Sequence, residues 1–203
     1  MARKMKILAA ADLHGDSRLI RKLADRADKE NVDLVVLCGD ITGWTETKDL
    51  IKPFKEKNMK VLIIPGNWDS FATTDFLAEI YGIRNIHGYS VRYDSIGFFG
   101  AGGAEDSPGP GRVSEKQMMQ TLSKAYAGLK GIERKIMVTH MHPSNSLSEM
   151  SGFEGSKAIS NAIKKFKPDV VLHGHIHEAG GVEEKVGKTR VINVGREGRI
   201  IEI

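Results

Sequence analysis

The chain has 203 residues, 40% hydrophobic and 28% charged, enough apolar material for one sizeable core and the composition of a globular protein, which excludes a disordered polypeptide. A net charge of +4 favours phosphate-bearing partners through the summed field, but the Lys and Arg residues are scattered, so a nucleic-acid stripe is not favoured. No window reaches the apolar length of a membrane span and the first residues lack a signal-peptide core, so the expected compartment is the cytoplasm, with no membrane partner.

In chain order, residues 6–11 form a short apolar strand, after which Asp16 or Ser17 can cap a helix with Leu19, Ile20, Leu23, Ala24 and Ala27 on one face. Residues 33–37 read as a second strand. It ends at Cys38, the one cysteine, which excludes an intrachain disulfide and reads as a small core residue. Residues 45–57 read as a helix begun again or kinked by Pro53, residues 60–64 as a third strand, and a helix follows near 74–80. Strands alternating with helices imply right-handed βαβ units, a parallel sheet, and functional loops at the carboxyl ends of its strands.

The texture then changes. Residues 83–86, 89–93 and 96–99 are short strands separated by turn residues, for which antiparallel pairing is expected. The stretch 101–112 holds four of the 22 glycines with Pro108 and Pro110, and so has no regular structure of its own. Ser114 and Gln117 make a capping box for a helix with Met118, Leu122, Ala125 and Leu129 inward. A strand at 135–139, a helix at 156–166 stopped by Pro168, and strands at 170–172, 182–186, 191–194 and 199–203 complete the chain. One domain over residues 1–203, with two mixed sheets sharing a core and helices outside, accommodates this order.

The chemistry-bearing residues fall at the strand ends. Asp12 and His14 follow the first strand, Gly39-Asp40 the second, Gly66-Asn67 the third, His140-Met141-His142 a later one, and His173-Gly174-His175-Ile176-His177 another. Singly, each is as well read as a cap, a turn or a surface pair. Together they are not, because six of the seven histidines lie where apolar strands deliver them. Asp, His and Asn donors without thiolate suit divalent ions of intermediate hardness such as Mn, Fe or Zn, and Asp40 is the natural carboxylate to bridge a pair.

In sequence the segments Asp12-Leu13-His14, Gly39-Asp40, Gly66-Asn67-Trp68-Asp69, Thr139-His140 and Gly174-His175-Ile176-His177 resemble the motifs of the calcineurin-like metallophosphoesterases. The resemblance implies an α/β fold, a four-layer α/β/β/α sandwich of two mixed β-sheets, with two divalent ions (Mn, Ni, Fe, Co or Zn) at one edge. Carried over residue by residue, it assigns Asp12, His14, Asp40 and His177 to one ion and Asp40, Asn67, His140 and His175 to the other. A hydroxide bridging the ions would attack a small phosphoester substrate in line.

The chain departs from the family at Trp68, where the usual motif has a histidine held to donate a proton or steady the phosphate. An indole N–H donates a hydrogen bond but transfers no proton, so Trp68 either positions substrate or packs over the turn. His142 is then a replacement acid or a histidine outside the reaction, and Asp69 a weaker acid or a substrate contact. A flat aromatic at the rim suits an aryl or base substituent, which favours a phosphodiesterase over a phosphomonoesterase. Trp44 is a second aromatic near the expected mouth. Arg112 and Arg196 are candidate phosphate contacts, while His87 before Gly88 serves a turn. Asn193-Val194-Gly195-Arg196 matches the family's terminal motif at two of its positions. The competing readings are a nuclease of the same superfamily, a noncatalytic metal-binding scaffold of the same fold, and a protein phosphatase.

Overall fold

A computed structural model describes residues 4–43, 49–105 and 108–203. The first half alternates β1 (Lys6–Ala10), α1 (Ser17–Lys29), β2 (Leu34–Cys38), α2 (Lys52–Glu56), β3 (Val61–Ile64), α3 (Phe71–Tyr81) and β4 (Arg84–Asn85). The second half contains β5 (Ser90–Tyr93), β6 (Ile96–Ala101), α4 (Glu115–Ala127), β7 (Arg134–Thr139), α5 (Lys157–Phe166), β8 (Val170–His173), β9 (Glu183–Val186), β10 (Thr189–Asn193) and β11 (Arg199–Glu202).

The strands form two mixed sheets, a five-stranded one in the order β11-β1-β2-β3-β4 and a six-stranded one in the order β5-β6-β7-β8-β10-β9. The central strands of each are parallel, and antiparallel strands occupy the edges at β11, β5 and β9. Strands covered on both faces need apolar residues at every position, which is why β2 reads Leu-Val-Val-Leu-Cys and is buried throughout.

The period of two assigns each residue to a layer. Leu8, Ala10, Val35 and Leu37 pack against α1 and α2, through Leu23, Ala24 and Phe54, and against Leu50 just before α2. Their neighbours Ile7, Ala9, Leu34, Val36 and Cys38 turn the other way and meet Phe98, Ile136, Val138 and Leu172 of the second sheet. Beyond that sheet, Phe99 and Met137 pack on Met118, Leu122, Ile159 and Ile163 of α4 and α5. The result is the four-layer α/β/β/α arrangement.

Helix starts follow the sequence closely. Asp16 caps α1 by accepting from Arg18 N and Leu19 N, and the five residues expected on its inner face are its buried ones. Ser114 and Gln117 form both hydrogen bonds of the capping box of α4. Two segments differ from expectation. Among the described residues of 45–57, Lys52–Glu56 is α-helical, entered through Pro53; residues 45–48 lie outside the described residues, as does Trp44. The expected antiparallel strand at 83–86 is the two-residue β4, parallel to β3 in the register Leu62↔Arg84 and Ile63↔Asn85. It is the end of a βαβ crossover through α3, with Ile83 packed toward the helices and Ile86 toward the second sheet.

Candidate metal centre

The carboxyl ends of β1, β2 and β3 in one sheet meet those of β7 and β8 in the other. Backbone bonds fasten the loops together, with Asp12 N donating to Gly39 O at 3.0 Å and His14 N to Asp40 O at 2.9 Å. Other contacts cross between the sheets. His140 Nδ1 lies 2.9 Å from Cys38 O, and His175 N donates to both oxygens of Asp12 at 3.1 and 3.2 Å. Glycine permits this approach: a Cβ on Gly66 would collide with Asp40, and one on Gly174 with Ala11 and Asp12.

All seven expected donors are in this edge, and their atoms face one another. The Cys38 carbonyl can only accept, so His140 carries a hydrogen on Nδ1 and turns Nε2 inward, where it can hold a proton or serve a metal. That Nε2 lies 2.9 Å from Asn67 Oδ1 and 3.4 Å from Asp40 Oδ2. His175 Nδ1 is 3.0 Å from the same Asn67 oxygen and 3.3 Å from His140 Nε2. His14 Nε2 is 3.3 Å from His177 Nε2 and 3.8 Å from Asp40 Oδ2, and His177 Nε2 is 3.8 Å from Asp12 Oδ1. Lone pairs gathered this way repel unless a cation or a proton stands among them, so the residues fit divalent metal. Asp12, His14 and His177 form one group with ligand atoms within 4.8 Å of one another, and Asp12, Asp40 and His140 form another. Asp40 Oδ2 also reaches both His14 and His140, and Asp12 shares its position between the groups.

The electrostatics carry the same message. Burial pulls His140 down, but Asp40 and then Asp12 outweigh it and hold the imidazolium up to about 9. Burial would raise Asp40, yet His140 beside it keeps this carboxyl below the ordinary carboxylate value. Asp12 is raised, chiefly by burial and further by Asp40, with His140 working against both. Burial, then His140, depresses His175 to about 3, which leaves its ring neutral and available as a donor to metal. Four of the seven donors also hold left-handed backbone, Asp12 (φ 57°), His14 (φ 45°), Asp40 (φ 50°) and His175 (φ 72°). Such conformations cost about 1–3 kcal/mol each and gather at functional sites. Sequence reading missed this feature, although the glycines beside Asp40 and His175 hinted at sharp turns.

The remaining expected site residues divide. Trp68 is half-buried, its N donates to Asp40 Oδ1 at 2.9 Å, and it lines a cleft of about 470 Å3 with His14, Thr42, Pro108 and Pro110. Asp69 is fully buried, and its oxygens accept from Ile41 N, Gly66 N, Thr42 N and Thr42 Oγ1 at 3.1, 2.8, 2.9 and 2.7 Å. It holds the Asp40 and Asn67 loops in register. His142 is not at the mouth. It is fully buried beside His175, its Nε2 donates to Phe153 O at 3.2 Å, and burial lowers its pKa.

Arg196 lies 3.5 Å from the Asp16 carboxylate at the cap of α1, and Arg112 is exposed on a bridge with Ala104. His87 serves its turn by accepting from Gly102 N at 3.0 Å through Nδ1. Asn193, which matches the family's terminal motif, is a clamp, donating to Ile176 O at 2.9 Å and accepting from Gly195 N at 3.0 Å. It thereby fixes the loop between His175 and His177.

Fold and donors together define the class, a two-sheet α/β/β/α sandwich with a metal-binding edge. The chain belongs to the calcineurin-like phosphoesterase superfamily, whose domain matches residues 5–200. It is 31% identical over 207 residues to the uncharacterized protein MJ1162 of Methanocaldococcus jannaschii, covering 95% of this chain and 89% of that relative. Among solved structures it resembles TT1561 of Thermus thermophilus, with a TM-score of 0.78 at 20% identity over 100% of this chain and 99% of that one. It also resembles an archaeal phosphodiesterase, with a TM-score of 0.56 at 23% identity over 98% and 100% of the two chains. At these identities the structures speak for the fold alone.

Proposed function

We propose that the chain is a phosphodiesterase that works with two divalent ions, one held by Asp12, His14, Asp40 and His177 and the other by Asp40, Asn67, His140 and His175. The donor set suits Mn, Ni, Fe, Co or Zn. When bound, such ions lower the pKa of water enough to furnish a nucleophile near neutral pH and offset charge on the phosphoryl oxygens. The reaction forms a bond from the water oxygen to phosphorus and breaks the bond from phosphorus to the departing alcohol, whose oxygen then needs a proton.

The observation that carries the diester reading is at Trp68. Asn67 faces the donors, Asp69 is locked beneath the loops, and the residue between them has no proton to transfer. Losing a general acid costs about 10²–10⁴-fold, most for poor leaving groups. A half-buried indole in a cleft beside His14 instead gives an aryl or base substituent a surface to pack on. The archaeal neighbour's activity as a phosphodiesterase agrees with this choice.

The test is one panel: Mn, Ni, Co, Zn and Mg against an aryl monoester, an aryl diester and cyclic nucleotides, for the wild type and Trp68→His. The diester is expected to be the better substrate, and the substitution to raise monoester over diester hydrolysis by about tenfold or more. An unchanged ratio removes Trp68 from selectivity. Absence of turnover with every metal supports the scaffold reading, and steeply salt-dependent DNA binding the nuclease.

A further inference from the structure

The mouth of the donor cluster is divided by residues 108–112. Asn67 Nδ2 donates to Pro108 O at 3.4 Å, and Gly111 N donates to Asn67 O at 3.0 Å, so this loop is fastened across the Asn67 turn. Pro108 consequently lines two clefts. One is the cleft of His14 and Trp68. The other, about 480 Å3, opens on His175 and is lined by Met141, Phe153, Glu105, Glu115, Glu154 and Lys157.

His14 and His175 mark different ends of the cluster, since His14 faces His177 and Asp40 while His175 faces Asn67 and His140. A phosphate seated on the donors beneath Pro108 therefore has a cleft available on each side. A monoester has one substituent to place. A diester has two.

We propose that the second cleft receives the second ester arm of a phosphodiester and selects an arm without negative charge, an ammonium-bearing alcohol best of all; this rests on the phosphodiesterase reading. Three carboxylates stand against one ammonium in the lining. Glu115 is turned to the backbone N of Ala158, and Glu105 accepts from Glu115 N at 3.3 Å, which fixes two of the negative charges in the lining, while Glu154 and Lys157 are both exposed. Phe153 is 62% exposed, and an aromatic ring in a carboxylate-lined cleft favours a cation. The next phosphate of a polynucleotide would meet like charge here, so the same cleft disfavours a nuclease.

The experiment uses metal-loaded protein and three p-nitrophenyl diesters whose second arm is choline, ethanol or a carboxylate-bearing alcohol. The variants form a charge series, Glu154→Lys, Glu154→Gln, wild type and Lys157→Gln, all checked for folding by circular dichroism. The ratio of kcat/KM for the cationic over the anionic arm, each normalised to the neutral one, is expected to rise along that order. Each unit of charge should change it about two- to fivefold at low salt, less at high salt. A ratio that is flat, or that moves out of charge order, overturns the assignment of the cleft while leaving diester hydrolysis standing. Failure to hydrolyse any of the three with any metal overturns both.

Discussion

The donor cluster has a buried half and an open half. Asp12, Asp40, Asn67 and His140 are between 0 and 2% exposed, whereas the side chains of His14 and His177 are 29 and 48% exposed. The buried donors follow the ends of β1, β2, β3 and β7 within three residues, and backbone bonds to Asp12 and His140 cross between the sheets. The open ones stand on a turn before α1 and on a short 3-10 helix, His177–Ala179. The fold thus holds the first group by packing and backbone bonds, while the second is open to solvent.

The largest effect that would break this contrast is at Asp40 set against His177. Asp40→Asn is expected to lower kcat/KM about a thousandfold, the upper end for removal of one preorganised charge, with bound metal falling in elemental analysis. His177→Ala is expected to cost about tenfold, through metal affinity, because water can replace an exposed donor, and excess metal should restore most of the rate. Equal losses that excess metal cannot restore would show the two halves acting as one unit.

Asp69 tests whether the buried half is built by the protein rather than by metal. Asp69→Ala leaves three backbone N–H groups and the Thr42 hydroxyl without their acceptor, at an expected cost of about 3 kcal/mol in urea unfolding. Asp69→Asn keeps one accepting oxygen and should lose less. A loss under about 1 kcal/mol for the alanine variant would mean that water takes over the four bonds and that the loops are not held from below.

The same contrast explains what was legible in the sequence. Strands of the central layers and the inner faces of α1 and α4 follow from hydrophobic period, and the donors follow from polar residues placed at strand ends. The pairing of residues 83–86 did not, because direction depends on a crossover through α3 and not on local composition. Asp69 and His142 look like site residues in sequence, being polar and beside ligands. Their burial is set by loops that arrive from elsewhere: Ile41 and Thr42 for one, and Phe153 for the other. The 3-10 turn at Leu147–Ser151 carries no period to read. The two clefts depend on a glycine- and proline-rich loop whose path is fixed by bonds to Asn67, and composition alone left that path open.

The smallest effect concerns what replaces metal in the buried half. In metal-free protein a proton on His140 takes the cation's place, with a folded pKa of about 9 against 6.5 for the free side chain. The folded state then holds the proton more tightly, so this contribution is fully present below pH 6.5 and is lost as pH rises through 9. Asp40, held low, contributes above the ordinary carboxylate value of 3.8 and fades on acidification. Asp12 is raised and offsets part of the gain, which is why the net change should be modest. Thermal unfolding of EDTA-treated protein from pH 6 to 10 should show Tm falling across the upper part of the range. Protein loaded with Mn should not show that fall, because metal displaces the proton from His140. A flat profile in the chelated protein would mean that His140 stays neutral and that Asp40 and Asn67 tolerate its lone pair, which would sharpen the buried half into a rigid cavity held by packing and backbone alone.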